Sequence, residues 1–237
     1  MSVIIPAAGI GSRMHHDTPK QYLSIAGKTI IEHSIDAFID HPTIKRIVVC
    51  LHKDDTTFSN LSLSQHPKIN VVEGGASRAA SVHNGLAFLV NKQTDEWVMV
   101  HDAARPLLSQ HALNMLLKTR ENNSMTCGAI LAIPAVDTVK LANTSTANNM
   151  IEKTLDRNRL WLAQTPQLFK TKSLLHALNM AIENNQEITD EASAMEYIGE
   201  KVDLIHGEKA NFKITHIEDL ALAEFYLSQN NTTQTPK

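Results

Sequence analysis

Short runs of β-branched residues alternate with amphipathic segments along most of this 237-residue chain, and that alternation narrows the fold more than any other feature. Residues 3–6, 46–51, 69–72, 97–101, 128–133 and 202–205 read as strands. Between them, residues 30–40 place Ile31, Ile35, Phe38 and Ile39 on one helical face, and residues 78–90 do the same with Val82, Leu86 and Leu89. Ser109 is placed to cap a helix running to residue 122, and further helices are predicted over 172–184, 190–198 and 217–227. Apolar strands separated by helices predict an α/β fold, an open, mostly parallel, twisted sheet with helices on both faces.

The rhythm breaks between residues 134 and 156. Residues 138–141 and 150–155 can pair as a hairpin around the polar, turn-rich stretch 143–149. A hairpin that interrupts an α/β domain has little core of its own, so it is expected to pack on a second copy of the chain, the alternative being a plain surface excursion. The expected organisation is one domain over 1–230, interrupted by a dimerisation arm over 135–156, with a polar, flexible tail over 231–237.

Composition excludes several classes. With 43% hydrophobic residues the chain is too apolar to be disordered as its main state. Twenty-two Lys and Arg against 25 Asp and Glu give a net charge of −3, so neither nucleic acid nor a membrane surface is an expected partner. No run approaches the ~20 apolar residues that cross a bilayer, and the apolar start is too short for a signal peptide. Two cysteines, Cys50 and Cys127, lie in apolar stretches and read as core packing in a reducing compartment. A cytoplasmic protein is expected.

Three loops carry chemistry. The first strand runs into Ala7-Ala8-Gly9-Ile10-Gly11-Ser12-Arg13-Met14, with Lys20 close behind. A dinucleotide fingerprint would need glycine where Met14 stands, and a Walker A match ending at Gly27-Lys28-Thr29 would need one at Tyr22. What remains is a small-residue loop whose N–H groups can approach phosphates, flanked by Arg13 and Lys20. The second loop, His101-Asp102-Ala103-Ala104-Arg105-Pro106, follows a candidate central strand. Ligands of open α/β sheets bind just outside carboxyl strand ends, so Asp102 can hold Mg²⁺ there or pair structurally with Arg105. In the third loop, Gly74 and Gly75 permit positive φ and close contact with a planar base, or form a plain turn capped by Ser77. Lys213 stands in a β-like run, where it can serve as an edge gatekeeper, and Thr189 and Asp190 read as helix caps. None of the 12 histidines lies three or four residues from another, and no HExxH, CxxC or GxSxG occurs, which disfavours zinc and serine-hydrolase chemistry.

In order along the chain stand PAAGIGSRM, PKQYL, GGASR, HDAARP, DTVK, DRNRLW, AQTPQLF, TDEASA and NFKIT, followed by DLALAEFY. The ordered set resembles the 2-C-methyl-D-erythritol 4-phosphate cytidylyltransferases over nearly the whole chain. The resemblance implies a Rossmann-like fold and Mg²⁺ or another divalent cation as cofactor. It implies a homodimer joined through the arm, with CTP and 2-C-methyl-D-erythritol 4-phosphate as substrates. Arg13 and Lys20 match positions that stabilise the transition state at the α-phosphate. Ala7, Ala8, Gly9, Gly11, Gly75, Ser81, Asp102 and Ala103 match nucleotide positions, with Asp102 also the metal ligand. Arg157 and Lys213 match the pair that positions the sugar phosphate, so they join Arg13 and Lys20 as the catalytic set. Thr138, Thr165 and Thr189 line that second pocket, Thr138 serving the partner's. Two departures stand out: Ser12, where some members carry a second basic residue, and Ala76, where an acidic one is common.

A phosphomonoester is largely a dianion at neutral pH, its second pKa being about 6, so its attack on the α-phosphorus needs no general base. The obstacle is repulsion of about 4 kcal/mol per pair of unit charges at ~4 Å and an effective dielectric of ~20, which positioned cations must offset. Two other readings share the motifs: a cytidylyltransferase for another alditol phosphate such as ribitol 5-phosphate, and a non-catalytic nucleotide-binding module.

Overall fold

The computed structural model describes residues 1–9, 18–92, 96–121, 126–143 and 150–232. Seven strands form one sheet: β1 (Ser2–Pro6), β4 (Arg46–Leu51), β5 (Ile69–Glu73), β6 (Trp97–Val100), β7 (Gly128–Pro134), β10 (Trp161–Lys170) and β11 (Val202–His206). Their spatial order is β11-β7-β10-β6-β1-β4-β5. All neighbours are parallel except β10, which runs antiparallel to both β6 and β7. A mostly parallel α/β sheet is therefore what the alternation of strands and helices produces.

Period-two alternation splits the core into two layers. Val3, Ile5, Ile47, Val49 and Met99 face one side, packed with α1 (Ile30–Ile39) and α3 (Gln110–Lys118). Ile4, Val48, Val98, Val100 and Phe169 face the other, under α2 (Arg78–Asn91), α4 (Thr171–Glu183) and α5 (Glu191–Tyr197). A third, smaller cluster joins Ile25, Ile30, Leu107 and Ile214 to Ala223 on α6 (Glu218–Thr232). Among the described residues, no helix is long and apolar enough to cross a membrane.

Two departures from the sequence reading have physical causes. Residues 161–170 were assigned no element in the sequence reading but form a strand, although Pro166 lacks an N–H for the ladder. The strand accommodates it where its pairing to β7 shifts register between Ala163 and Gln167, and the Thr165–Pro166 bond is cis. In keeping with the missing Walker A glycine, Gly27-Lys28-Thr29 belongs to a small ribbon, β2 (Ser24–Ile25) with β3 (Lys28–Thr29), turned at Ala26 and Gly27, which have φ of 47° and 82°. Thr29 then caps α1 through a reciprocal box with Glu32. The last helix continues to Thr232, so residues 231 and 232 of the expected tail are helical; residues 233–237 lie outside the described residues.

The arm forms as a separate ribbon, β8 (Lys140–Asn143) and β9 (Met150–Thr154), antiparallel and unconnected to the main sheet. Leu141, Met150 and Ile151 are exposed on it.

Candidate active site at the carboxyl ends of the strands

Because β1, β4, β5 and β6 are parallel, their carboxyl ends open on one edge of the sheet, and two adjoining cavities lie there. The first, about 210 Å³, is lined by Ala7, Ala8 and Gly9 after β1, by Gly75, Ala76, Ser77, Arg78 and Ser81, by Asp102 and Ala103 after β6, and by Lys20 and Lys213. Small residues are required here. A Cβ on Gly74 would stand 2.5 Å from the Ala8 Cβ and 3.2 Å from the Leu51 carbonyl oxygen, and one on Gly75 would overlap Ala80. The expected positive φ is absent: among the described glycines only Gly27 and Gly199 have it, so close approach and not backbone handedness selects this pair. The turn also carries a cap, since the Ala80 N–H donates to Ser77 Oγ at 3.1 Å and the Gly75 N–H to Ser81 Oγ at 3.0 Å. The N-terminus of α2 thus faces the cavity, where a helix end favours negative charge.

Gln21, buried, donates through Nε2 to the carbonyls of Ala7 (3.0 Å) and Gly9 (3.3 Å), which fixes the first loop. Lys20 Nζ donates to the Ile214 carbonyl at 3.2 Å, placing two lysines on neighbouring stretches of chain. Gly11, Ser12 and Arg13 lie outside the described residues.

Asp102 is the hub. Its Oδ1 accepts from Arg78 Nε at 2.9 Å, and its Oδ2 lies 3.0 Å from Lys213 Nζ and 3.4 Å from Arg105 Nε. Burial alone would raise the carboxyl pKa, but Arg78, Lys213 and Arg105 outweigh it and hold Asp102 far below the carboxylate range. Asp102 therefore pairs with Arg105, as one sequence reading had it, and lines the cavity, as the other requires. Its backbone is held from beneath. The Asp102 N–H donates to Thr165 Oγ1 at 3.0 Å, and that hydroxyl lies 3.1 Å from His101 Nδ1. Since His101 Nε2 sits 3.0 Å from the Arg105 carbonyl, which only accepts, Nε2 carries the proton and Nδ1 accepts from Thr165. Burial pushes the His101 pKa down to about 4, keeping that tautomer neutral.

The second cavity, about 200 Å³, shares Arg78, Asp102 and Lys213 with the first and adds Arg105, Gln164, Thr165, Gln167, Thr189 and Asp190. The irregularity in β10 brings Thr165 to the end of β6. Gln167 bridges to α5, donating to Asp190 Oδ2 at 2.8 Å and accepting from the Ala192 N–H at 3.0 Å, so Thr189 and Asp190 are tied to the same wall. Lys213 lies in a loop and not in a strand, so it has no gatekeeper role. Buried Asn211 holds the loop on one side, donating to the Thr165 carbonyl at 2.8 Å. On the other, the Ile214 N–H donates to the Ala104 carbonyl at 2.8 Å. Gln21, Asn211 and His101 are supports that no spacing rule singles out, because each acts through hydrogen bonds made only in the tertiary fold.

Thr138 and Arg157 line neither cavity. Both are exposed at the base of the arm, where Arg157 Nη1 donates to the Val136 carbonyl at 2.8 Å. Within a single chain, Arg157 is therefore grouped with the arm, whereas the sequence reading grouped it with Lys213.

The thiols take no part. Cys50 is buried with its pKa pushed up to about 12, and half-buried Cys127 is raised to about 11, in both cases chiefly by burial; neither lines a cavity of the site. Two anionic groups brought into adjoining cavities across a shared wall of two cations, Arg78 and Lys213, and the carboxylate of Asp102 can react directly with each other.

Known proteins carry the same plan. The family model for IspD, 2-C-methyl-D-erythritol 4-phosphate cytidylyltransferase, matches residues 1–229. The Vibrio vulnificus protein of that name is 49% identical over 95% of this chain and 94% of its own, and the Haemophilus influenzae one 48% over 96% of each. The crystal structure of the Francisella tularensis enzyme superposes with a TM-score of 0.81 at 38% identity, covering 95% of this chain and 98% of that one. The chain belongs to the 2-C-methyl-D-erythritol 4-phosphate cytidylyltransferase family.

Proposed function

We infer that the protein transfers CMP from CTP to 2-C-methyl-D-erythritol 4-phosphate, releasing pyrophosphate. The observation that carries this reading is the shared wall: Arg78, Asp102 and Lys213 line both cavities, so a triphosphate in the first and a sugar phosphate in the second meet across it. CTP lies on the glycine pair and the start of α2, with Ala7, Ala8, Gly9, Gly75, Ser81 and Ala103 against it and Lys20 at its phosphates; Gly11 and Arg13, assigned to the same nucleotide by resemblance, lie outside the described residues. The sugar phosphate lies by Thr165 and Thr189 with Lys213 on its phosphate. The attacking oxygen needs no base, and catalysis consists of holding two anions in line.

Among the described residues, no three His, Cys, Asp or Glu side chains gather where a cation could be caged. Asp102, the carboxylate that lines both cavities, would be the residue to hold a divalent ion. Mg²⁺ held there would supply positive charge to the departing pyrophosphate.

The position of Arg157 and Thr138 supports a homodimer in which the arm crosses to the partner and completes its second cavity. The exposed Leu141, Met150 and Ile151 supply the apolar contact. Mixing Arg157→Ala with Lys213→Ala subunits, each nearly inactive, is expected to restore about a quarter of full activity, the random-pairing fraction whose one composite site is intact. Continued inactivity of the mixture would place Arg157 and Lys213 in the same chain's site. A cytoplasmic location, expected from the sequence, is retained as part of this proposal.

The deciding assay is pyrophosphate release from CTP with a panel of acceptors. Turnover with 2-C-methyl-D-erythritol 4-phosphate and not with ribitol 5-phosphate is expected. Equal turnover would make the enzyme a general alditol-phosphate cytidylyltransferase, and CTP binding without turnover on any acceptor would leave a binding module.

A further inference from the structure

Arg78 opens α2 directly after the nucleotide loop, at a helix end where a positive side chain is unfavourable. It is held there by three bonds to two other segments. Nε donates to Asp102 Oδ1 at 2.9 Å, while Nη1 and Nη2 donate to the two carboxylate oxygens of Glu191 at 2.7 and 3.0 Å. Glu191 is 1% exposed and opens α5, immediately after Thr189 and Asp190 of the second cavity, yet it lines neither cavity itself. A buried carboxylate without a partner is strongly disfavoured, so Glu191 and Arg78 hold each other in place. One planar guanidinium thus joins the nucleotide loop, the end of β6 and the helix that carries the sugar-phosphate wall. By fixing Asp102 Oδ1, it leaves Oδ2 turned toward Lys213.

We propose that Arg78, anchored by buried Glu191, is a positioning residue for the transfer, holding the nucleotide loop, Asp102 and the start of α5 in the one arrangement that aligns the two substrates. The proposal rests on the cytidylyl-transfer reading. It assigns Glu191 an effect on turnover although Glu191 touches no substrate. Lysine cannot replace Arg78, since a single ammonium does not present the fork that reaches a carboxylate bidentately while a third N–H serves Asp102.

The test is steady-state kinetics of Arg78→Lys, Glu191→Gln and the double variant beside the wild type, with folding checked by circular dichroism. Glu191→Gln keeps the shape and one acceptor. It is expected to lower kcat about tenfold or more while KM for CTP stays within about threefold. Arg78→Lys is expected to lose about 10²-fold in kcat, and the double variant no more than the worse single one, because the pair acts as a unit. Should Arg78→Lys not fold, the kcat of Glu191→Gln decides. A folded Glu191→Gln enzyme with wild-type kcat, or losses that multiply in the double variant, would overturn the assignment. A wild type that releases no pyrophosphate under the same conditions would instead sink the transfer reading, and this inference with it.

Discussion

The nucleotide cavity and the arm are built on opposite plans. The cavity is made by backbone and small side chains packed so tightly that a single methyl on Gly74 would touch Ala8, and its one carboxylate is fixed from every side. The arm is a lone ribbon with Leu141, Met150 and Ile151 exposed, carrying Thr138 and Arg157 at its base away from both cavities. The first gathers its described lining from six separate stretches of one chain; the second, among the described residues, holds Arg157 only to the Val136 carbonyl of its own base. Binding of a common nucleotide can be fully preorganised within a subunit. On the proposed assignment, recognition of the second substrate is divided between the wall of the second cavity and an arm supplied by the partner subunit.

That contrast can be strained at several points. The largest effect is expected at the shared wall: Lys213→Ala should reduce kcat/KM for the sugar phosphate by about 10²–10³, with CTP affinity measured by calorimetry changing far less. Equal losses for both ligands would mean that the two cavities are not separate subsites. Next comes the support under Asp102. His101 has its folded pKa lowered to about 4 from an ordinary 6.5, so the unfolded chain binds the extra proton between those values and stability falls as pH drops through that window. In metal-free buffer, urea denaturation should show about 2 kcal/mol lost from His101 between pH 7 and pH 5. His101→Asn should flatten that part of the profile; an unchanged slope would place the acid sensitivity elsewhere.

A smaller change is expected from Gly74→Ala. Overpacking against Ala8 should weaken CTP binding about tenfold while leaving the sugar-phosphate KM in place. The smallest is on the arm, where Ile151→Asn should shift monomer stability by no more than about 0.5 kcal/mol, as exposed substitutions do. Light scattering should nonetheless show dissociated subunits, and a dimer that persists would detach the arm from assembly.

The parallel framework was legible because its strands are apolar on both faces and its helices carry a clear stripe, as in Ile31, Ile35 and Phe38. The central antiparallel strand was not, since Pro166 in the middle of residues 161–170 mimics a break and only the irregular pairing with β7 tolerates it. Of the site, Ala7, Ala8, Gly9, Gly75, Asp102 and Lys213 come together at one sheet edge. Periodicity alone could not have gathered Lys20 and Lys213, which are 193 positions apart and meet through the Ile214 carbonyl. His101 and Glu191 were invisible for a different reason. A buried polar residue acquires its meaning from its partner, and neither Thr165 nor Arg78 is near it in sequence.

Direct transfer between two anions across one wall predicts that CTP and pyrophosphate exchange label only when the sugar-phosphate half of the reaction is present. Labelled pyrophosphate incubated with enzyme, Mg²⁺ and CTP alone should leave CTP unlabelled, and adding the cytidylylated sugar product should start incorporation at once. Incorporation with CTP alone would show that CMP is first passed to the protein, and would contradict attack by the sugar phosphate on the α-phosphorus.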